Sequence, residues 1–123
     1  MKPTNTNAIK SKEDLQKFTD AVKNTGNSSL CTIFETCMDK AMTISAAERS
    51  IGTNLMTAAV ERRFQKIADE GNMDYKIGNH TFRKTFGYHY LNDGGDINEL
   101  MKMYGYNSAE LLKRYIYGDE YAE

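Results

Sequence analysis

The sequence predicts a compact, mainly α-helical domain with little or no β-sheet. Three observations support this fold class. Apolar residues recur at three- and four-residue spacings along most of the chain, N-cap patterns precede several of these segments, and glycines follow them. No segment shows the strict alternation of apolar and polar residues that is typical of a half-buried strand.

Length, charge and composition limit the class of protein. At 123 residues the chain suits one domain, and we predict a flexible tail over residues 1–10 and a single domain over residues 11–123. The net charge of −1 argues against a generally basic nucleic-acid binder, so DNA contact must come from a local patch. Cys31 and Cys37 fit reduced thiols, and no metal or cofactor is expected. Because no apolar run reaches membrane-spanning length, we expect a soluble, cytoplasmic protein.

The first predicted helix runs from Lys12 to Asn24. Ser11 and Asp14 form a capping-box pattern at its start. Residues 24–29 have the composition of a loop. Residues 30–38 are rich in apolar, β-branched and aromatic side chains, and fit either a short strand or a buried turn of helix.

A second capping box, Ser45 with Glu48, predicts the start of the longest helix, which continues to the stop at Gly71. Its polar side carries three basic residues, which fit either a solvated face or a phosphate-contact surface: Arg62, Arg63 and Lys66.

Three short helices are predicted in the C-terminal part, over residues 81–92, 97–104 and 109–117. Each is followed by a glycine within a few residues, which is a common helix stop. Asn107 or Ser108 can cap the last of them. His89, inside an aromatic run, fits a packed and hydrogen-bonded role in the core.

His80 and Arg83 carry the chemistry that the residues themselves suggest. On a helix that begins near His80, positions three apart lie on one face, so the two side chains can reach the same anion. Arginine offers a rigid fork of donors to a phosphate, and histidine can accept and return a proton near neutral pH.

Three ordered segments, "HTFRKTFGYHYL", "NDGGDINELMKMYG" and "NSAELLKRYIY", resemble the C-terminal catalytic part of the tyrosine recombinase, or phage integrase, family. His80, Arg83 and Lys84 fall on the family's first block, and Gly94 and Gly95 fall on its turn. In the third block, Tyr115 follows Arg114 at the spacing of the nucleophile, nine residues past Tyr106. The resemblance runs from about Met42 to Tyr117.

The resemblance implies cleavage and rejoining of duplex DNA without metal or ATP. Tyr115 would attack the scissile phosphate and hold it as a 3′-phosphotyrosyl link. Arg83 would neutralise the phosphate oxygens, His80 would act as acid and base, and Lys84 would support phosphate binding. The residues expected to contact DNA are Arg62, Arg63, Lys66, Lys84 and Arg114. The resemblance also implies a bacterial or phage-encoded protein that associates on DNA with a second copy or a recombinase partner.

The chain departs from the family pattern in three places. The Gly-Leu-Arg motif that supplies the family's first catalytic arginine is absent, and the most generous alignment places Ser28 there. The β-hairpin that supplies a catalytic lysine has no counterpart. Tyr106, counted here with the catalytic set, stands where the family has His or Trp. Arg49, Arg62 or Arg63 could replace the arginine in space.

Three functional hypotheses follow. The first is a shortened tyrosine recombinase, whose activity the missing groups would reduce. The second is a catalytically inactive DNA-binding or regulatory relative. The third is a fragment that acts in a recombinase assembly by protein contacts alone.

Overall fold

A computed structural model describes residues 7–53 and 55–118. Within these residues seven helices form and no strand does, which confirms the mainly α fold. The bounds predicted for the first helix and for the three C-terminal helices agree with the structure. In chain order the helices are α1 Lys12–Asn24, α2 Ser28–Lys40, α3 Ile44–Ile51, α4 Thr57–Glu70, α5 Thr81–Asn92, α6 Ile97–Tyr104 and α7 Ala109–Tyr117.

Side-chain caps start α1, α2 and α7. The Ser11 hydroxyl accepts the backbone N–H of Asp14 at 3.0 Å, as the capping pattern predicted. Asn27 caps α2, so the ambiguous segment is helical and the preceding loop is shorter than predicted. Of the two candidate caps for α7, Ser108 is the one used. Helical packing explains the apolar residues of α2, since those at i, i+3, i+4 and i+7 are buried: Leu30, Ile33, Phe34 and Cys37.

The prediction of one long helix starting at a Ser45–Glu48 capping box is wrong. Thr43, not Ser45, caps α3, which ends at Ile51. Gly52 follows it in the left-handed conformation, with φ of 76°, which turns the chain before α4 begins at Thr57. Glu48 is buried and its Oε1 accepts the Thr57 hydroxyl at 2.6 Å. The carboxylate therefore joins two helices instead of closing a local cap.

Four phenylalanines form the centre of the main core, one each from α1, α2, α4 and α5. Phe82 of α5 packs edge-on against two of them, Phe34 and Phe64, with ring centroids 5.0 Å apart in each pair. Phe18 completes the cluster at 5.6 Å from Phe82. Because edge-to-face aromatic pairs are favourable beyond their buried area, this cluster holds the four helices together.

The flexible tail predicted over residues 1–10 is wrong for residues 7–10, and residues 1–6 lie outside the described part. Ile9 is fully buried, and its backbone N–H donates to the Thr85 hydroxyl at 2.9 Å. The Nε2 of His89 lies 2.9 Å from the Ile9 carbonyl, which confirms the hydrogen-bonded role predicted for this histidine, although the residue is only partly buried. Ala8 is also buried, and the Asn7 N–H donates to the Lys76 carbonyl at 3.0 Å, so burial and main-chain hydrogen bonds together dock the segment. The single domain over 11–123 stays a prediction, since residues 119–123 are not described.

A second, smaller cluster lies where α5, α6 and α7 meet. Its buried members are Ala41, Leu100, Tyr104, Leu112 and Ile116. Helix α5 belongs to both clusters, because Phe82 packs in the main core and Phe86 packs against the second. Helix α5 therefore links the two clusters, and it packs directly against α7. In the described part of the chain, no helix combines the length and apolar character that crossing a membrane requires.

Candidate active site

His80 and Tyr115 meet across the contact between α5 and α7. His80 Nδ1 lies 2.6 Å from the Tyr115 hydroxyl oxygen, although the residues are 35 positions apart. Helix α7 can come this close because Gly87 of α5 has no side chain. A Cβ built there would lie 2.6 Å from the Ile116 Cδ1 atom. The close packing of the two helices therefore sets the distance between the predicted base and the predicted nucleophile.

The residue before His80 fixes its position. Asn79 caps the start of α3: its side-chain Oδ1 accepts the Ser45 N–H at 2.8 Å, and its carbonyl accepts the Ile44 N–H at 2.9 Å. His80 then occupies the N-cap position of α5 without making a side-chain cap bond. Its ring is therefore not used for capping and reaches Tyr115.

Arg83 binds the C-terminal ends of two helices. Its Nη1 donates to the carbonyl of Ala41, the C-cap of α2, at 2.9 Å. Its Nη2 donates to the carbonyl of Tyr104, the last residue of α6, at 3.3 Å. Carbonyls at helix C-termini carry partial negative charge, so a guanidinium is favourable there. Arg83 thus has a structural role in addition to the role predicted for it.

Lys84 and Tyr106 flank the ring of Tyr115. The Lys84 Nζ lies 5.1 Å from the centroid of that ring. The Tyr106 ring lies 5.7 Å from it on a tilted plane. The predicted catalytic residues His80, Arg83, Lys84, Tyr106 and Tyr115 therefore lie in one cluster.

The protonation states favour a neutral pair at pH 7. Burial raises the pKa of Tyr115 to about 12, although the charge of Arg83 and its hydrogen bond act in the opposite direction. Burial lowers the pKa of His80 below its usual 6.5, and the positive charges of Lys84 and Arg83 lower it further. Both groups are therefore neutral at pH 7, and the Tyr115 hydroxyl can donate to His80 Nδ1 when the imidazole carries its proton on Nε2. Burial also lowers the pKa of Lys84.

Of the other residues predicted to contact DNA, those on α4 lie away from Tyr115, whereas Arg114 directly precedes it on α7. Arg62 and Arg63 are exposed on α4, which packs against α1 and α3, whereas Tyr115 is on α7, packed against α5 and α6. Lys66 lies 3.9 Å from Glu70, and Arg114 forms an exposed salt bridge of 2.9 Å with Glu110. The exposure of the three basic residues of α4 fits a solvated helix face, and their contact with DNA phosphates stays a prediction.

Ser28, aligned with the family's first arginine, does not lie at this cluster. It is the first residue of α2, whereas Arg83 binds Ala41, which follows the last residue of that helix. Thirteen residues of helix, about 20 Å, separate the two ends. Arg49 is an exposed residue of α3. The position that aligns with the missing arginine is therefore remote from Tyr115.

Ala41 and Tyr104 both contact Arg83, and neither was predicted from the sequence as a site residue. Tyr104 follows Leu100 at helical spacing, which marks it only as a core residue. Its contact with Arg83 depends on how α5 and α6 cross. No local sequence signal reports that crossing.

Comparisons with known proteins agree with the motif blocks. The model of the phage integrase family matches residues 9–120. A probable integrase/recombinase, YoeC of Bacillus subtilis (strain 168), is 47% identical over 45 residues, 37% of this chain and 25% of that protein. The tyrosine recombinase XerC of Chlamydia caviae (strain ATCC VR-813 / DSM 19441 / 03DC25 / GPIC) is 31% identical over 64 residues, 52% of this chain and 20% of that protein.

The match therefore spans about a quarter and a fifth of the lengths of these two curated relatives. No solved structure gave a significant match. The family match extends over almost the whole chain, including every residue of the cluster around Tyr115. The chain belongs to the phage integrase family.

Proposed function

We propose that the protein breaks and rejoins duplex DNA through a 3′-phosphotyrosyl intermediate on Tyr115. The observation that supports this most strongly is the 2.6 Å contact between Tyr115 and His80, with Arg83 and Lys84 beside the same ring. A tyrosine hydroxyl is a weak nucleophile until a base takes its proton. The 2.6 Å contact with Tyr115 supports His80 as that base. The reaction would occur on DNA in the cytoplasm.

The cleavage step exchanges one bond for another, with a net transfer of one proton from Tyr115 to the leaving oxygen. The Tyr115 oxygen attacks phosphorus, its proton passes to His80 Nδ1, and the bond from phosphorus to the 5′-oxygen breaks. The leaving oxygen takes up a proton from water and becomes a 5′-hydroxyl, and His80 returns its proton to water. Rejoining is the reverse attack of a 5′-hydroxyl on the phosphotyrosine, so no external energy source is needed.

Arg83 has donors left for the phosphate. A guanidinium has five N–H donors, and two of them bind the carbonyls of Ala41 and Tyr104. The remaining donors can bind the non-bridging phosphate oxygens, whose charge increases in the transition state. Lys84 adds a second positive charge at the same place.

We expect cleavage to be slow for this chain alone. Removal of one preorganised donor to a developing oxyanion costs about two to three orders of magnitude in rate. The cluster has Tyr106 where the family has His or Trp, and the position aligned with the first arginine is remote. A second copy of the chain or a recombinase partner on the DNA would supply such a group.

The exposed basic side of α4 favours a second candidate function, a DNA-binding relative without chemistry. Arg62, Arg63 and Lys66 could contact phosphates whether or not Tyr115 reacts. Such binding would weaken steeply with added salt, because each phosphate contact releases counterions. Binding that does not respond to salt, or no binding, would contradict this candidate.

A nicked suicide duplex tests the catalytic proposal. The nick lets the short 5′-ended fragment diffuse away after cleavage, so that the covalent protein–DNA adduct accumulates on a denaturing gel. Duplexes tiled from the DNA on either side of the protein's gene serve as substrates. We expect an adduct that Tyr115→Phe abolishes. Tyr117→Phe is the matched control, since the Tyr117 hydroxyl donates to Asn92 at 3.2 Å instead of to the cluster. An adduct that persists in Tyr115→Phe would contradict the proposal.

A further inference from the structure

Tyr104 contacts Arg83 through three different groups. Its backbone carbonyl accepts the Arg83 Nη2 donor at 3.3 Å. The guanidinium carbon of Arg83 lies 4.1 Å from the centroid of the Tyr104 ring, within the range of a cation–π contact. The Tyr104 hydroxyl donates a short hydrogen bond to the main-chain carbonyl of Arg83. Tyr104 of α6 therefore contacts both the guanidinium and the main chain of Arg83 of α5.

The same tyrosine also contacts the proposed nucleophile. Its ring centroid lies 6.4 Å from that of Tyr115, with the two planes at 80°. Edge-to-face packing of this kind is a favourable aromatic arrangement. Tyr104 is 7% exposed, so the contact is shielded from water. Arg83 and Tyr115 therefore share one rigid, buried neighbour.

The surroundings of the Tyr104 hydroxyl favour a tyrosine at this position. A Cβ at Gly87 would lie 3.2 Å from the Tyr104 oxygen, so a side chain at position 87 would crowd it. Burial also raises the pKa of Tyr104 above its ordinary value, which keeps the hydroxyl protonated as a donor. A leucine or a phenylalanine at position 104 would leave the Arg83 carbonyl without this donor.

Arginine needs such support because its side chain is long. It loses up to about 2 kcal/mol of rotamer entropy when it is fixed in one conformation. Contacts that hold it before the substrate arrives remove this cost from the reaction. The Ala41 carbonyl holds one end of the guanidinium, and the ring of Tyr104 packs 4.1 Å from its central carbon.

We infer that Tyr104 is a positioning residue, which holds the Arg83 guanidinium in the plane and direction needed to bind the scissile phosphate beside Tyr115. This inference rests on the proposed function. Displacement of a reacting or stabilising group by about 1 Å can cost about 100-fold in rate. The loss should therefore appear in the rate of the chemical step more than in DNA affinity.

The test compares two substitutions at position 104 with a control. Tyr104→Leu removes the ring and the hydroxyl, whereas Tyr104→Phe keeps the ring over Arg83. Tyr75→Phe is the matched control, because the Tyr75 hydroxyl also joins two elements, by donating to Asp14 at 2.8 Å. The measurements are the adduct rate at saturating nicked duplex, the dissociation constant for DNA, the urea midpoint, and the guanidinium NMR signals of ¹⁵N-arginine-labelled protein.

We expect Tyr104→Leu to slow adduct formation about 10- to 100-fold with less than about a threefold change in DNA affinity. Tyr104→Phe should recover a large part of that rate. The Arg83 Nε–H signal, displaced by the Tyr104 ring current in the wild type, should move toward the random-coil position in Tyr104→Leu only. Tyr75→Phe should change neither the rate nor this signal.

Two results would overturn the inference. One is an unchanged adduct rate in folded Tyr104→Leu, and the other is a rate loss in Tyr104→Leu without movement of the Arg83 signal. Failure of the proposed function is distinguishable, because then the wild type forms no Tyr115-dependent adduct. In that case Tyr104 positions nothing for catalysis and the inference fails too, while the NMR signal still reports whether the contact with Arg83 exists.

Discussion

Replacement of Arg83 by alanine should destabilise the fold, independently of any effect on DNA. Two hydrogen bonds from the guanidinium to the carbonyls of Ala41 and Tyr104 would be lost, together with the cation–π contact. A hydrogen bond to a charged group contributes about 1.5–3 kcal/mol. A partly exposed cation–π contact contributes about 0.5–1 kcal/mol. Because Arg83 is only half-buried, water replaces part of these contacts, and we expect a loss of about 2–4 kcal/mol.

Urea denaturation followed by circular dichroism measures this loss as a fall in the free energy of unfolding. Arg62→Ala makes the same chemical change at an exposed position of α4 and should stay within about 0.5 kcal/mol of wild type. Arg83→Lys keeps the charge but cannot reach both carbonyls with one planar group, so it should fall between wild type and Arg83→Ala. A loss below about 1 kcal/mol in Arg83→Ala would refute the structural role.

Four further predictions concern the pH dependence of cleavage and of stability, the leaving group, and the core. Adduct formation should fall as pH drops through the lowered pKa of His80, below 6.5, because the protonated ring cannot accept the Tyr115 proton; a rate that rises on acidification would contradict this. The unfolding free energy should fall in the same pH range, since the unfolded chain binds that proton more readily, and His80→Gln should reduce the fall. A duplex with sulfur in place of the bridging 5′-oxygen at the scissile phosphate should be cleaved at least about 10-fold faster, since a thiolate leaves without protonation by a general acid. Equal cleavage rates for the sulfur and oxygen substrates would show that the site already supplies a general acid. Phe82→Ala should cost about 3–5 kcal/mol in urea denaturation, and a loss below about 2 kcal/mol would show that the cluster can collapse around the gap.

The helices that could be predicted from sequence are those with local start and stop signals. Ser11 caps α1, Ser108 caps α7, and Gly105 ends α6 in the left-handed conformation. The break between α3 and α4 was missed because Glu48 has a partner, Thr57, that lies beyond the local cap. The docking of Ile9 was missed because its hydrogen-bond partners are 76 and 80 residues away.

The residues of the proposed site could be predicted from the sequence, but some of their contacts could not. His80, Arg83 and Tyr115 were identified because their order and spacing form motif blocks. The Arg83 contacts with Ala41 and Tyr104 could not be predicted, since they arise where the end of α2 and the end of α6 approach α5. Motif spacing thus identified the residues, and only packing shows what holds them.

Peptide mapping of the adduct decides whether Tyr115 is the nucleophile. Wild-type protein is incubated with the nicked duplex and digested with nuclease and protease, and the nucleotide-bearing peptide is sequenced by mass spectrometry. We expect one modified residue, Tyr115, joined to the 3′-phosphate of the cleaved strand. A nucleotide on another tyrosine, such as Tyr106 or Tyr117, or the absence of any adduct with a duplex that the protein binds, would contradict it.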